Sequence, residues 1–392
     1  MTSHGSMLSM LSMLDVACDD DGRRVRVRFG ANETLLHPLW LRERSDEPGA
    51  LDATNLQRLY DANDLDENAT VSSCESADGT LRVAFSDGYA MTLPVGRLLL
   101  DLGWIDDPEA LPEREAWTSS LAPFPYADWA PLLARDPIAT EAALGSFWRH
   151  GFYVLRGVPT EPGMLGTVGR HLGNLIPTNF GEIFDVVTEV DPTDLAYTPI
   201  HLNAHSDGPY RKPVPGIQML HCLVNDTDGG VSTLVDGFGA SQELSEADPE
   251  AYEALTQIDV EFRYDMVSDV VINRSRIIEV DDTGRFEQIR FSHRLDYVTP
   301  AHPDELDAFY RGRRWLRDRM NNPTNQVSFL LEPGDVMVMD NHRLLHGRTA
   351  FSATAGRRHL QGCYIDHDGP DAYWRLARRA ITETTGAIRY SG

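Results

Sequence analysis

His205-Ser206-Asp207, together with a distant His346, limits what this chain can fold into more than any other feature. On a β-strand, residues two apart point to the same face. Asp207 is therefore expected beside His205, and the fold must bring a second imidazole to them. Three ligands on one side of a metal leave its other side open. Imidazole and carboxylate suit a divalent ion, and two His with one carboxylate is the set that non-haem Fe(II) oxygenases use. Taken alone, a His-x-Asp pair among 13 histidines is a weak signal, so its surroundings decide.

The second half of the chain has the punctuation of many short strands. Val327–Leu331, the turn Glu332-Pro333-Gly334-Asp335, Val336–Asp340 and His359–Ile365 are apolar and brief. Helices are expected near Ala139–His150, closed by Gly151, and over Pro303–Met320. The pattern implies a mainly β fold with helices outside it. Over residues 131–392 we expect a double-stranded β-helix, or jelly-roll, domain. Residues 16–105 read as a small β-rich domain, with hairpin turns at Asp78-Gly79 and Asp87-Gly88. Residues 106–130, which contain Pro and Trp, read as a linker. Residues 1–15 read as a disordered leader, because they lack the cationic segment of a signal peptide.

Sixty acidic residues against 35 basic ones give a net charge of −25. Phosphate backbones need clustered basic side chains, so nucleic acid is excluded as a partner. Acidity can draw in a cationic substrate, and it equally serves solvation. No apolar run approaches the roughly 20 residues of a membrane span. The four cysteines, Cys18, Cys74, Cys222 and Cys363, are widely spaced with no CxxC pair. Neither a disulfide framework nor a thiolate zinc site is indicated, and a reducing cytoplasm fits.

The stretch from His205 to Cys222, Gly229-Gly230, Val235-Asp236-Gly237-Phe238, Asp340 to Arg348, and Arg358-His-Leu-Gln-Gly-Cys-Tyr364 occur in one order and spacing. Together they resemble the γ-butyrobetaine hydroxylase and trimethyllysine hydroxylase branch of the taurine dioxygenase superfamily. His37-Pro-Leu-Trp-Leu-Arg42 is similar to that branch's accessory domain. The resemblance implies a 2-oxoglutarate-dependent hydroxylase with Fe(II) on His205, Asp207 and His346 and O2 as cosubstrate. It also implies a homodimer.

By the same resemblance Arg358 grips the distal carboxylate of 2-oxoglutarate, with Ser232 as a hydroxyl partner. Arginine's planar fork suits a carboxylate. Phe180, Phe184, Tyr197 and Tyr364 fall at positions that cage a trimethylammonium group through cation–π attraction. Asp194 falls beside the cage, where a carboxylate would favour a cation. At the substrate's other end this chain departs from its relatives: Ser292, His293 and Arg294 stand where many present asparagines. This leaves room for γ-butyrobetaine-like zwitterions or for a trimethylammonium phosphonate. Glu43–Ala50 lacks the cysteines that bind zinc in the eukaryotic enzyme, so the accessory domain is expected to fold without metal. A non-catalytic jelly-roll binding protein that keeps the metal site is the competing reading.

Overall fold

The computed structural model describes residues 14–19, 21–187, 200–266, 269–352 and 356–385. Two compact units divide the chain: residues up to 110 with those from 382 onward, and Leu111–Ile381.

The first unit holds two three-stranded antiparallel meanders. One is β1 (Asp15–Cys18), β2 (Val25–Phe29) and β3 (Asn32–Leu36). The other is β4 (Val71–Ala77), β5 (Thr80–Phe85) and β6 (Ala90–Pro94). Asp78 and Gly79 both take positive φ, 51° and 74°, in the two-residue turn between β4 and β5. That conformation matches the twist of a tight hairpin. Alternate residues Val25, Val27, Leu81, Val83, Met91 and Leu93 turn inward to form the core. Cys18 on β1 and Cys74 on β4 are joined as a disulfide, with Cα atoms 6.4 Å apart. The wide spacing of the cysteines did not suggest this pair, because tertiary packing alone makes β1 and β4 neighbours.

The second unit is built on two sheets. The larger has six strands in the order β7-β8-β19-β11-β21-β9. These are β7 (Tyr126–Asp128), β8 (Phe152–Arg156), β9 (Ile183–Val187), β11 (Ile217–Asn225), β19 (Val336–Asp340) and β21 (Arg358–Ile365). The smaller has four strands, β10-β20-β12-β18. They are β10 (Leu202–His205), β12 (Ser232–Asp236), β18 (Gln326–Phe329) and β20 (Leu344–Arg348).

Strand alternation sorts the larger sheet's side chains into two layers. Ile217, Met219, Val336, Val338, Cys363 and Ile365 pack beneath the helices Pro137–His150 and Met164–Leu172. Leu220, Met337, Met339 and Leu360 point the other way and meet the smaller sheet at Leu234, Val327 and Leu344. Because both faces are covered, these strands read as nearly continuous apolar runs. The helix Pro137–His150 begins where the Asp136 side chain accepts the Ala139 N–H. It ends at Gly151, whose φ of 84° few other residues tolerate. A third layer packs the helices Gly237–Ala247, Pro249–Gln257 and Pro303–Met320 around Phe262, Ile277 and Ile289.

Residues 111–130 belong to this unit rather than to a linker. Trp117 and Trp129 are buried in it, and β7 runs parallel to β8. The buried Arg343 ties the stretch down. It pairs with Asp236 at 2.9 Å and donates to the carbonyls of Glu115 and Arg149. Two tryptophans and several prolines make a loop-like sequence whose apolar surface is still large enough to demand burial.

Candidate active site

A cavity of about 440 Å³ opens between the two sheets. His205 and His346 meet across it because β10 and β20 pair antiparallel with these two residues directly opposite. Their rings lie 4.3 Å apart. Asp207 does not share a strand with His205, as the spacing had implied, because β10 ends at His205. Side chains fix the turn that carries it. Ser206 exchanges hydrogen bonds with the Phe291 backbone, and the Asn341 amide accepts the Asp207 N–H at 2.7 Å and donates to its carbonyl at 2.9 Å.

The Asp207 carboxylate then lies 3.5 Å from His205 Nε2 and 3.9 Å from His346 Nε2. His205 Nδ1 bonds the Asn203 carbonyl at 2.9 Å. A carbonyl can only accept, so Nδ1 carries a hydrogen and Nε2 is the atom turned toward Asp207. Burial pushes His346 down to about 4 despite the nearby carboxylate, so its ring is neutral at physiological pH. Burial alone would raise Asp207. The two histidines and a bond from Tyr364 outweigh it and leave the acid well below the usual carboxylate range. A neutral His346 and an ionised Asp207, with His205 bringing its ligand atom within 4.8 Å of theirs, make a set that suits a divalent metal. The donor set fits Fe(II).

Arg358 opens β21 and lines the same cavity. It is buried and has no carboxylate partner among the described residues. Burial lowers its pKa, yet a guanidinium keeps its charge. An unpaired buried cation calls for an anionic ligand. Gly230 makes room for it: a Cβ there would stand 3.0 Å from Arg358 Nε, at a φ of +66°. Ser232 is buried on β12 and lines the cavity, opposite Arg348 on β20.

The aromatic residues form a continuous wall. Tyr364 and Phe184 are 5.6 Å apart, Phe184 and Phe180 5.8 Å, Phe180 and Tyr264 6.1 Å, and Tyr264 and Tyr210 4.8 Å. Phe180, Phe184 and Tyr364 were expected there. Tyr210 sits within the His205 motif yet was passed over, and nothing local marks Tyr264. Tyr197 and Asp194 lie outside the described residues. Ser292, His293 and Arg294 line the cavity, and Arg211 joins them, held by Asn179 and the Pro177 carbonyl. Burial and Arg294 push the His293 pKa down. Gln218 and Asn341, which bond to Asp207, were also missed. Both stand inside the quoted motifs.

Residues 111–364 match the taurine catabolism dioxygenase TauD, TfdA family, and the chain belongs to that family. It is a 2-oxoglutarate-dependent dioxygenase that uses Fe(II) and O2. The chain is 33% identical to gamma-butyrobetaine dioxygenase of Pseudomonas sp. (strain AK-1), over 85% of this chain and 88% of that one. Identity to the human gamma-butyrobetaine dioxygenase is also 33%, covering 69% and 70%. Among solved structures, an asparagine oxygenase in complex with Fe(II), 3-hydroxyasparagine and succinate aligns with a TM-score of 0.47 at 19% identity. That alignment covers 60% of this chain and 80% of the other. Among the described residues no helix is long and apolar enough to cross a membrane.

Proposed function

We propose that this enzyme hydroxylates a C–H bond of a small trimethylammonium zwitterion resembling γ-butyrobetaine, with succinate and CO2 as co-products. The two sheets are read as the halves of a jelly-roll. His205, Asp207 and His346 hold the metal. Bound there, Fe(II) supplies the oxidative decarboxylation of 2-oxoglutarate and the delivery of one oxygen atom to the substrate. Arg358, with Ser232, binds the distal carboxylate of 2-oxoglutarate and so orients its keto-acid end toward the metal. Phe180, Phe184 and Tyr364, with Tyr210 and Tyr264, face a quaternary ammonium, which offers no N–H to a hydrogen-bonding pocket. The walls keep water away from the reacting carbon and hold it in place.

One observation carries the reading. A His–Asp–His set, a buried guanidinium with no carboxylate partner among the described residues, and a run of aromatic rings all face one cavity. A second reading, a trimethylammonium phosphonate as substrate, is favoured by the cationic and neutral donors at Arg211, His293 and Arg294. A homodimer and an accessory role for the first unit follow from the resemblance and belong to the same proposal. The cytoplasmic location rests on the spacing of the cysteines, and the Cys18–Cys74 disulfide removes that ground.

The test mixes anaerobic Fe(II)-loaded protein with 2-oxoglutarate and γ-butyrobetaine, trimethyllysine or 2-trimethylaminoethylphosphonate, then admits air. The expected result is one compound giving matched amounts of succinate and a product heavier by one oxygen. Succinate without such a product would remove these substrates from the proposal.

A further inference from the structure

Asp207 presents its two oxygens to different neighbours. Oδ1 faces His205 and His346, at 3.5 and 3.9 Å. Oδ2 accepts the Tyr364 hydroxyl at 2.8 Å and also the Gln218 side-chain amide. Gln218 on β11 and Tyr364 on β21 are direct partners across the antiparallel ladder. Opposite residues of such a pair stand side by side on one face of the sheet, so the two donors converge on a single oxygen. Their chain neighbours Ile217, Met219, Cys363 and Ile365 are buried in the helix-covered layer on the opposite face. Those buried neighbours anchor the strand backbone from which both donors project. Gln218 Oε1 is buried with no hydrogen-bond partner. The amide is thus oriented by what its NH2 end donates to.

We propose that Gln218 and Tyr364 are positioning residues that hold Oδ2 so that Asp207 offers the metal Oδ1 alone. The inference rests on His205, Asp207 and His346 being the metal site. A carboxylate free to rotate would present both oxygens and occupy a position needed by cosubstrate or substrate. Two charge-assisted donors on one oxygen oppose that rotation. Tyr364 then has two functions: its ring belongs to the aromatic wall, while its hydroxyl fixes a metal ligand.

The test uses Co(II), which is stable in air and has a coordination-sensitive visible spectrum. Wild type, Asp207→Ala, Tyr364→Phe and Gln218→Leu are titrated with Co(II), and folding is checked by circular dichroism. One Co(II) bound by wild type and lost in Asp207→Ala supports the metal site itself. If wild type binds none, that site falls and the positioning role falls with it. The role predicts that Tyr364→Phe and Gln218→Leu each bind Co(II) about 10- to 100-fold more weakly. It also predicts a changed visible spectrum as the carboxylate takes a second position. Tyr364→Phe keeps the ring, so a role confined to the aromatic wall leaves Co(II) affinity and spectrum unchanged. That outcome would overturn the proposal. If Gln218→Leu fails to fold, Tyr364→Phe decides alone.

Discussion

Among the described residues the second unit contains two His–Asp–His clusters, and only one of them opens onto the cavity. Besides His205, Asp207 and His346, the side chains of Asp340, His342 and His367 also bring their ligand atoms within 4.8 Å of one another. In the second cluster His367 Nε2 lies 3.2 Å from Asp340, within hydrogen-bond reach. Burial pulls the His367 pKa down, but Asp340 outweighs it and the net direction is up. His342 commits Nε2 to the Val214 carbonyl. His367 and Asp340 form a partly buried pair, burial lowers the His342 pKa, and none of the three lines the cavity. In the first cluster burial holds His346 neutral, the His205 and His346 Nε2 atoms stand 3.5 and 3.9 Å from the Asp207 carboxylate, and all three residues line the cavity. Residue type and proximity are therefore not enough. What separates the ligand set from the second cluster is that its donor atoms face a cavity which a metal and its cosubstrate can enter.

The largest expected effect is on turnover. Asp207→Ala should abolish succinate formation, whereas His367→Asn should leave it within a few-fold of wild type in the same assay. Equal losses in both variants would erase the distinction between the clusters.

Arg358→Gln comes next. Losing a charge-assisted pair costs about 2–3 kcal/mol, a rise of roughly 30- to 150-fold in the KM for 2-oxoglutarate. The KM for the hydroxylated substrate should move much less. Initial rates with each substrate varied in turn provide the check.

The third effect concerns stability. His367 has its pKa raised on folding, so its contribution is complete below about pH 6.5 and is lost as the pH rises through the raised value. Asp340 has its pKa lowered, so its contribution is present above about pH 4 and is lost as the pH falls through the lowered value. The pair is strongest between these limits. His367→Asn should cost about 1–3 kcal/mol near pH 6, discounted for the partial exposure of the ring, and less near pH 9. Urea unfolding at the two pH values measures the difference, and a cost that grows with pH would contradict the ion pair.

The smallest effect is in the aromatic wall. Phe184→Leu should raise the KM for a trimethylammonium substrate by about 0.5–2 kcal/mol, or roughly 2- to 30-fold. The KM for 2-oxoglutarate should stay unchanged. An equal rise in both would place the ring in general packing instead.

His205, Asp207, His346 and Arg358 could be singled out from sequence because the stretches that hold them together resemble one family; the His-x-Asp spacing alone is a weak signal. The strand alternation of β11, β19 and β21 was legible as apolar runs. Less could be read wherever tertiary structure chooses the neighbour. Tyr264 reaches the aromatic wall from β13 (Val260–Asp265), in a three-stranded sheet with no motif of its own. Gln218 becomes a partner of Asp207 only because β11 pairs with β21 in one register. Asp207 departs from the strand geometry that its spacing implied, since Asn341 from a distant turn fixes its backbone. The Cys18–Cys74 pair and the buried Trp117 have the same cause. In both, long-range packing decides the place of the residues.

The most direct test of the account is anaerobic Fe(II) stoichiometry in wild type, Asp207→Ala and His367→Asn. The account predicts one Fe(II) per chain in wild type, none in Asp207→Ala and one in His367→Asn. Two per chain in wild type, or retention of the metal in Asp207→Ala, would contradict it.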